Sequence, residues 1–463
     1  MIKKPPVEIS QNPFLEIMDT EEKNLTSYIE LHSPVDYKGR YLHFDSFRFR
    51  VPENLNVKLA WSVVKLARKR QLMHILSIGY PVQSCKFMLT STIQKAISET
   101  DRNTTNAALE WMSSKIGEEK HAQYLLNDLI EDEAISSSQL EGAATTTKVA
   151  KDLLKRKRKP RSLDEKMIIG NYKMMTFAWK NRNKELSIDL ITDLHAIGVE
   201  GIDDETYYPG VFRNIDTIEV TDGEGNTVHT PPPCKGLKKR LKQVIKWVNE
   251  CHHDADSHKY IHPLIKAITI HFCIGYEHPF RDGNGRVARA LFYWYLFRNE
   301  YAAFRYIAIS TLLKAAPVKY GKSYLYTETD DMDLTYFIDY QCSIILRSIN
   351  NFKNSYKDAL KDIEVFDQWL WDSGIFRRLN DKQRTIFQIA KSNNSSVFTS
   401  TTAKEGLGCS YNTASNALNG LVKLGLFTKI KKGREWQFVI RKVENIMDQE
   451  VAIKNKNLTS NFT

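Results

Sequence analysis

Long apolar runs are lacking in this chain of 463 residues, and no stretch approaches the ~20 apolar residues that a membrane-spanning helix needs. The first residues are basic but have no apolar stretch behind them, which disfavours a signal peptide. We therefore predict a protein that has no membrane partner and resides in the cytoplasm.

Paired cysteines are lacking too. The six cysteines are scattered, and no two have a spacing typical of metal ligands or of a disulfide framework. This pattern predicts free thiols in a reducing compartment. The six are Cys85, Cys234, Cys251, Cys273, Cys342 and Cys409.

Length and positive charge are what the chain does have. A length of 463 residues exceeds what one ordinary core accommodates, so two or three domains are expected. The formal net charge is +11, and part of it is concentrated in residues 155–161 and 429–434. The first of these clusters is typical of a solvated loop.

Apolar periodicity predicts a mainly α-helical chain. Most of residues 163–296 has a helical pattern, and further helices are expected at about 56–78, 118–138, 235–250 and 333–371. Two segments are expected to be extended. Residues 41–52 read as a strand that ends at a proline, and residues 212–228 alternate around a turn, which predicts a β-hairpin.

The segment richest in chemically active side chains is residues 278–289, between two apolar helical stretches. Gly283 and Gly285 allow the backbone to point successive N–H groups inward, as an anion-binding nest at a helix N-terminus. Arg286 and Arg289 are three residues apart, so both face the same way and suit a polyphosphate.

Two further side chains in this segment suggest a reaction. Asp282 would lie beside the phosphates, where a carboxylate can bind Mg²⁺. His278 precedes the nest by a few residues and can accept a proton from an attacking hydroxyl group. Each residue alone is more typical of a turn or a helix end, but the joint pattern indicates a catalytic site.

Residues 278–289, His-Pro-Phe-Arg-Asp-Gly-Asn-Gly-Arg-Val-Ala-Arg, resemble the signature of the Fic family and match it at every defined position. The resemblance in organisation extends over about residues 44–352. It implies a helical Fic core, with ATP as substrate and Mg²⁺ bound through Asp282. His278 would deprotonate a Ser, Thr or Tyr hydroxyl of a target protein or of the chain itself, AMP would be transferred, and diphosphate would leave.

The same resemblance implies the nucleotide contacts. They are expected from Arg281, Asp282, Gly283, Asn284, Gly285, Arg286 and Arg289, with Arg289 on the γ-phosphate. Tyr320, Tyr324 and Tyr326 are candidates for the base pocket or, equally, for the core. Glycine at both 283 and 285 disfavours the kinase-like branch of the family, whereas transfer of UMP or GMP stays an alternative.

Residues 212–230 occupy the place of the flap in Fic proteins. An exposed hairpin edge there would bind an extended target segment by strand addition. The residues expected to dock the target are Asp216, Thr217, Ile218, Glu219 and Val220. An ordinary surface hairpin is the alternative.

Ser137 and Glu141 are four residues apart and share one face of a helix that Gly142 would end. This segment resembles the inhibitory motif of Fic proteins. The resemblance implies an inhibitory helix at about 118–142, in which Glu141 pairs with Arg289 and turns ATP away from its productive pose. It also suggests removal of AMP from modified targets as a second activity. A Ser-rich helix end is the alternative.

Helices at about 381–391, 401–407 and 410–424, followed by a strand-like stretch at 427–440, predict a winged helix-turn-helix domain. Its lysines suit phosphate contacts, so DNA is a candidate partner, and dimerisation or docking is the alternative. The alternative function is therefore a DNA-binding transcriptional regulator whose Fic core senses nucleotide or acts as a toxin.

The predicted organisation has five parts, and the sequence leaves open whether the chain forms a homodimer. The parts are an N-terminal region (1–115), a Fic core (116–350), a helical connector (351–378), the winged-helix domain (379–445) and a tail (446–463).

Overall fold

In a computed structural model, the described part of the chain comprises residues 2–116, 131–156, 158–202, 207–221, 225, 227–254, 256, 259–372, 374–392, 397–432 and 435–441. The chain divides into two compact units. The first contains Met1–Asn106 and Leu129–Ile349, and the second contains Ala107–Asp128 and Asn350–Thr463. The described part of the chain has no helix long and apolar enough to cross a membrane.

The prediction of a mainly α-helical chain is confirmed. Helices up to the catalytic motif are α1 (Pro13–Thr20), α2 (Leu25–Glu30), α3 (Phe44–Phe47), α4 (Val57–Lys69), α5 (Ser91–Asn103), α6 (Asn106–Ile116), α7 (described over 131–140), α8 (Thr147–Lys155), α9 (Leu163–Lys180), α10 (Ile188–Gly198), α11 (Leu237–Asn249) and α12 (Pro263–Glu277). Later helices are α13 (Asn284–Arg298), α14 (Ser310–Ala315), α15 (Pro317–Thr329), α16 (Thr335–Asp372), α17 (Asp381–Ser392), α18 (Ser400–Leu407) and α19 (Tyr411–Lys423).

The described strands form three small antiparallel sheets. Two are hairpins, and the third has the strand order β5-β7-β6. The strands are β1 (Met73–Ile78), β2 (Gln83–Phe87), β3 (Val220–Thr221), β4 (Thr227–His229), β5 (Val397–Phe398), β6 (Phe427–Lys432) and β7 (Glu435–Ile440).

Helices α12 and α13 pack against each other at the centre of the first unit, and nearly all of their residues are buried. Helix α12 starts at Pro263, where the His262 ring accepts a hydrogen bond from the Leu264 N–H. It ends at His278, which adopts a left-handed backbone conformation with φ of 47°. The catalytic motif therefore connects the two most buried helices of the unit.

The expectation of a strand at residues 41–52 is wrong. Helix α3 covers Phe44–Phe47, and a 3₁₀ turn follows at Arg48–Arg50. Phe44 and Phe47 are three residues apart, and on a helix both pack against Trp61. The proline at the end of the segment was mistaken for the end of a strand.

The expected helix at residues 56–78 is only partly present. Helix α4 ends at Lys69, and Met73–Ile78 forms β1, which pairs with β2. Gly79 follows β1 with φ of 81°, so the chain reverses where a helix was expected to continue. Pairing with β2, a long-range interaction, overrides the local pattern.

The expected hairpin at residues 212–228 is shorter than predicted. Only Val220–Thr221 and Thr227–His229 are strands, and they pair with Val220 opposite His229. Residues 212–219 contain no strand. Residues 222–224 and 226 of the expected turn, like residues 118–130 of the expected inhibitory helix, lie outside the described residues.

The second unit contains three short helices, α17 to α19, and the three-stranded sheet around a common apolar core. Ser410 caps α19 by accepting a hydrogen bond from the Thr413 N–H. The expected elements at 381–391, 401–407 and 410–424 are present. Strand β5 was not expected, and the assignment as a winged-helix domain stays a prediction.

Candidate active site

His278 lies at the junction of α12 and the motif loop, residues 278–283. Its Nδ1 atom lies 3.2 Å from the Gly275 carbonyl oxygen. Because a carbonyl only accepts, Nδ1 carries the proton, and Nε2 has the free lone pair. Burial lowers the pKa of His278 to about 4, although the hydrogen bond to Gly275 opposes this shift. The ring is therefore neutral near pH 7 and able to accept a proton at Nε2.

The motif loop is closed by Asn284 and Phe280. The Phe280 N–H donates to Asn284 Oδ1, and Asn284 Nδ2 donates to the Phe280 carbonyl, both at 2.8 Å. The side-chain amide of Asn284 is thus engaged within the loop. These two bonds fix the loop before α13 and leave the second N–H of Nδ2 for a ligand, so the expected contact of Asn284 with phosphates stays a prediction.

His195, on α10, fixes the loop from the other side. Its Nδ1 accepts from the Gly210 N–H at 3.1 Å, so its Nε2 carries the proton and donates to the Asp282 carbonyl at 3.0 Å. The ring stacks on Phe280 with 3.8 Å between centroids. Burial lowers the pKa of His195 to about 4, which keeps this tautomer neutral.

Two buried arginines, Arg286 and Arg289, lie in the first two turns of α13. Arg286 Nη1 donates to the Gly198 carbonyl at 3.0 Å, while its Nε and Nη2 have no partner among the described residues. Arg289 Nη1 also has none. Both side chains are 1% exposed. Buried donors without a partner are costly, so these atoms indicate a site for an anionic ligand.

Asp282 could offer an oxygen ligand to a metal ion at this site. It is half-buried, and its Oδ1 accepts a hydrogen bond from the Gly283 N–H. A carboxylate beside unpaired arginine donors suits Mg²⁺, which is usually bound by one or two carboxylates together with substrate phosphates. The residues present therefore fit the ion.

Glu141 lies directly on the N-terminus of α13. Its Oε1 atom is 2.7 Å from Arg289 Nη2, and a Cβ atom at Gly285 would come within 2.2 Å of the same oxygen. Ser137 adds two contacts to Arg289, because its Oγ accepts from Nε at 2.8 Å and its carbonyl accepts from Nη2 at 3.1 Å. A carboxylate thus occupies the anion-binding end of the helix.

Helix α7, which carries Ser137 and ends directly before Glu141, is fixed by buried contacts. Glu133 accepts from the Ser310 N–H at 2.9 Å and from the Ser310 hydroxyl at 2.5 Å. Asn171 Nδ2 donates to the Ala134 carbonyl at 2.9 Å. These contacts set the helix's position along its axis, and hence the reach of Glu141.

Arg213 connects the flap segment, residues 207–232, to the catalytic histidine. Its Nε donates to the His278 carbonyl at 2.8 Å, and its backbone N–H donates to the Pro279 carbonyl at 2.9 Å. Its Nη2 donates to the carbonyls of Glu277 and Pro232. The side chain is 1% exposed, so one buried arginine joins both ends of the flap segment to the motif.

The same guanidinium group orders the start of the flap segment. Arg213 Nη1 donates to Asp216 Oδ1 at 3.0 Å and to the Ile215 carbonyl at 3.2 Å. Asp216 Oδ1 also accepts from the Cys234 N–H at 2.6 Å, and this hydrogen bond is the main reason that the pKa of Asp216 is lowered. Asp216 therefore shapes the base of the flap segment, and its expected role in docking a target stays a prediction.

Part of the chain is similar to a known protein family. Residues 185–296 match the model of the Fic/DOC family. This Fic segment contains the whole motif, His195, Arg213 and the flap segment. Glu141, Ser137 and the second unit lie outside it.

Two curated relatives are similar to part of this chain. A protein adenylyltransferase of Caenorhabditis elegans, Fic-1, is 30% identical over 117 residues, which is 25% of this chain and 20% of the relative. A protein adenylyltransferase Fic of Drosophila yakuba is 32% identical over 95 residues, which is 20% of this chain and 18% of the relative. The chain thus spans about a fifth of the length of these relatives.

Solved structures of similar proteins include a Fic family protein from Desulfovibrio desulfuricans, with a TM-score of 0.48 and 15% identity over 76% of this chain and 97% of the other. A Fic domain-containing signalling protein from Bacteroides thetaiotaomicron has a TM-score of 0.45 and 18% identity, over 58% of this chain and 97% of the other.

The three tyrosines considered for the base pocket differ in their surroundings. The Tyr320 hydroxyl lies 2.8 Å from His271 Nε2, and the Tyr324 hydroxyl would come within 2.5 Å of a Cβ atom at Gly275. Both are therefore close to the helix that ends at His278. Tyr326 instead stacks on His43, 4.2 Å between centroids, and does not adjoin the Fic motif.

The remaining predicted residues of the flap and motif lie toward solvent. Arg281 Nη2 donates to Asn214 Oδ1 at 3.2 Å, and its guanidinium group lies 4.2 Å from the centroid of the Tyr208 ring. Thr217 and Glu219 are exposed, and Ile218 and Val220 are half-buried. Arg281 thus links the motif to the flap segment from outside, as Arg213 does from inside.

Sequence reasoning missed His195 and Arg213. His195 follows Leu190, Ile191 and Leu194 on the buried face of α10, and such a histidine reads as an ordinary core residue. Arg213 was read as part of a hairpin strand. Both could have been suspected only because a titratable or charged residue occupies a position that the apolar pattern predicts to be buried.

A cleft of about 280 Å³ lies away from the Fic motif, between α4 and residues 330–333. None of its lining residues belongs to the motif. The motif, and not this cleft, is the candidate active site, because the unpaired arginine donors and the neutral histidine lie there. Glu141 fills the space above Gly285 in the motif.

Proposed function

We propose that this chain is a protein adenylyltransferase, which transfers AMP from ATP to a Ser, Thr or Tyr hydroxyl of a target protein or of itself. The observation that carries the proposal is the pairing of a neutral His278, with Nε2 free, and buried arginine donors that lack a protein partner. The match of residues 185–296 to the Fic/DOC family and the names of the curated relatives support it.

The chemistry follows from the atoms of the site. His278 Nε2 accepts the proton of the target hydroxyl, whose oxygen then attacks the α-phosphorus of ATP. A bond forms between that oxygen and phosphorus, the bond to the bridging oxygen breaks, and diphosphate leaves. Arg286 and Arg289 stabilise the phosphate charge with the donors that are otherwise unpaired.

Mg²⁺ would be bound by Asp282 and would neutralise phosphate charge. The chain's own residues set the geometry. Asn284 and His195 fix the loop, and Arg213 holds the His278 backbone relative to the flap segment. Positioning of this kind is a large part of phosphoryl-group chemistry.

Glu141 is proposed to inhibit this activity. Its carboxylate occupies the helix N-terminus and pairs with Arg289, so the γ-phosphate must compete with it for the same guanidinium group. Inhibition is a competition between two anions for one buried cation. Removal of AMP from a modified target is a further proposal for Glu141, tested by incubating purified AMP-modified target with the protein and measuring released AMP.

The direct test uses ATP labelled at either the α- or the γ-phosphate, with Mg²⁺ and the full chain carrying Glu141→Gly. Label from the α-position should remain on protein, and label from the γ-position should not. Retention of γ-label alone would replace the proposal with kinase activity. Parallel reactions with UTP and GTP determine which nucleotide is used.

A second function, DNA binding, is favoured by one feature of the second unit. The Lys429 and Lys431 ammonium groups lie 4.8 Å and 5.7 Å from the centroid of the exposed Trp436 ring on β7. A basic and aromatic surface suits a nucleic-acid backbone. A salt-dependent gel shift with random duplex DNA tests it, with Lys429→Ala and Lys431→Ala expected to weaken the shift.

A further inference from the structure

A cluster of three metal-ligand side chains lies in the loop between α11 and α12, outside the motif. Cys251, His253 and Asp254 each offer one ligand atom, and these atoms all lie within 4.8 Å of one another. The cysteine and the aspartate are exposed, and the histidine is half-buried. An ion from solvent can therefore reach all three.

The distances match the geometry of a tetrahedral metal site. Cys251 Sγ is 3.8 Å from His253 Nδ1 and 3.9 Å from His253 Nε2. Tetrahedral Zn²⁺, with bonds of about 2.3 Å to sulfur and about 2.0 Å to nitrogen, separates two such ligands by about 3.6 Å. The sulfur–nitrogen separation is within a few tenths of an ångström of this value, and coordination by all three residues would need the side chains to adjust from separations of up to 4.8 Å.

The neighbouring histidine is engaged elsewhere, which defines the ligand set. His252 Nδ1 lies 2.9 Å from the buried Lys266 ammonium group, which also donates to the Glu250 carbonyl. Lys266 belongs to α12, so it fixes the base of the loop to that helix. Cys251 and His253, on either side of His252, instead approach each other to within 4 Å.

We propose that Cys251, His253 and Asp254 bind one zinc-type divalent ion, with water at the fourth position. A thiolate together with an imidazole selects a borderline-soft ion such as Zn²⁺ over Mg²⁺. The site is therefore chemically distinct from Asp282, and it stands whether or not the chain transfers AMP. The bound ion would join Cys251, His253 and Asp254 within the loop between α11 and α12.

Cobalt(II) is the probe, because a cobalt–thiolate bond gives a charge-transfer absorption that oxygen ligands do not. The full chain, reduced and free of any histidine tag, is titrated with Co²⁺, and Zn²⁺ is then added to displace it. One equivalent of Co²⁺ should produce the thiolate absorption, and Zn²⁺ should abolish it. Co²⁺ at Asp282 would lack this signature.

Variants assign the ligands. Cys251→Ser should lose the absorption, and His253→Ala should weaken binding at least about tenfold, as loss of a metal-site residue typically does. Cys409→Ser, which removes a half-buried thiol outside the cluster, is the control and should bind as the original chain does. The proposal is overturned if the original chain shows no thiolate absorption, or if Cys251→Ser retains it.

A thermal measurement gives a second readout. Excess Zn²⁺ should raise the Tm of the original chain and of Cys409→Ser, since an ion that binds only the folded state stabilises it. Cys251→Ser should show no rise. An equal rise in all three proteins would assign the effect to another site and would contradict the proposal.

Discussion

The motif loop and the flap segment meet at His278, yet they are stabilised in different ways. The motif loop joins two fully buried helices and closes on itself through Asn284 and Phe280. The flap segment has two strands of two and three residues, and it depends on one buried arginine. The loop that carries His278 is thus closed on itself, whereas the flap segment is attached to it mainly through Arg213.

Replacing the proposed base gives the largest expected effect. His278→Ala should lower adenylylation by about 100-fold or more, because no other group accepts the hydroxyl proton. His74→Ala, at an exposed histidine of β1, is the matched control and should retain activity. Initial rates of α-labelled transfer measure both. Equal rates for both variants would remove His278 from the mechanism.

Arg213→Lys tests the attachment of the flap segment. Lysine cannot donate to several carbonyl groups at once as the Arg213 guanidinium group does, so the position of His278 should shift. The kcat of adenylylation should therefore fall by about 10- to 100-fold. The KM for ATP should change little, because the phosphate donors are on α13. Arg102→Lys, at an arginine whose side chain is 70% exposed, is the control. A change confined to KM would contradict this positioning role.

Removing the Glu141 carboxylate, which lies above Gly285, should raise the rate of adenylylation. Glu141→Gly is expected to increase automodification by about tenfold, which corresponds to about 1.4 kcal/mol of released competition. Glu141→Gln keeps the side-chain size and removes the charge, so a similar rise would identify charge as the cause. Unchanged labelling in both variants would refute inhibition by Glu141 and leave the transfer reaction standing.

Acid pH should change the stability of the fold rather than the rate of transfer, through the histidine that bridges the two regions. Burial lowers the pKa of His195 to about 4, so the unfolded chain binds a proton between pH 6.5 and 4 that the folded chain does not. The free energy of unfolding should therefore decrease as the pH falls through this window, by up to about 3 kcal/mol. Urea titrations at pH 7 and pH 5 test this, and His195→Gln should lose this part of the dependence.

The motif was predictable from sequence because its chemistry is local. Twelve consecutive positions contain the glycines, the histidine, the aspartate and the arginines. This pattern predicts the loop, the start of the helix and the anion-binding nest together. Glu141 was predictable through its spacing from Ser137, and the structure places its carboxylate 2.7 Å from Arg289. Its inhibitory role stays a prediction.

What the sequence did not reveal depends on long-range packing. Arg213 and His195 act through carbonyl groups of residues 65 and 87 positions away, and no local pattern encodes such contacts. The strand at Met73–Ile78 was missed because it is stabilised by pairing with Gln83–Phe87 across a turn, which the local helical pattern does not reveal.

The most direct measurement is the intact mass of Glu141→Gly after incubation with ATP and Mg²⁺, compared with the double variant Glu141→Gly, His278→Ala. We expect the first protein to gain one or more AMP groups and the second to gain none. A gain of phosphate alone, or an AMP gain that survives loss of His278, would contradict the account.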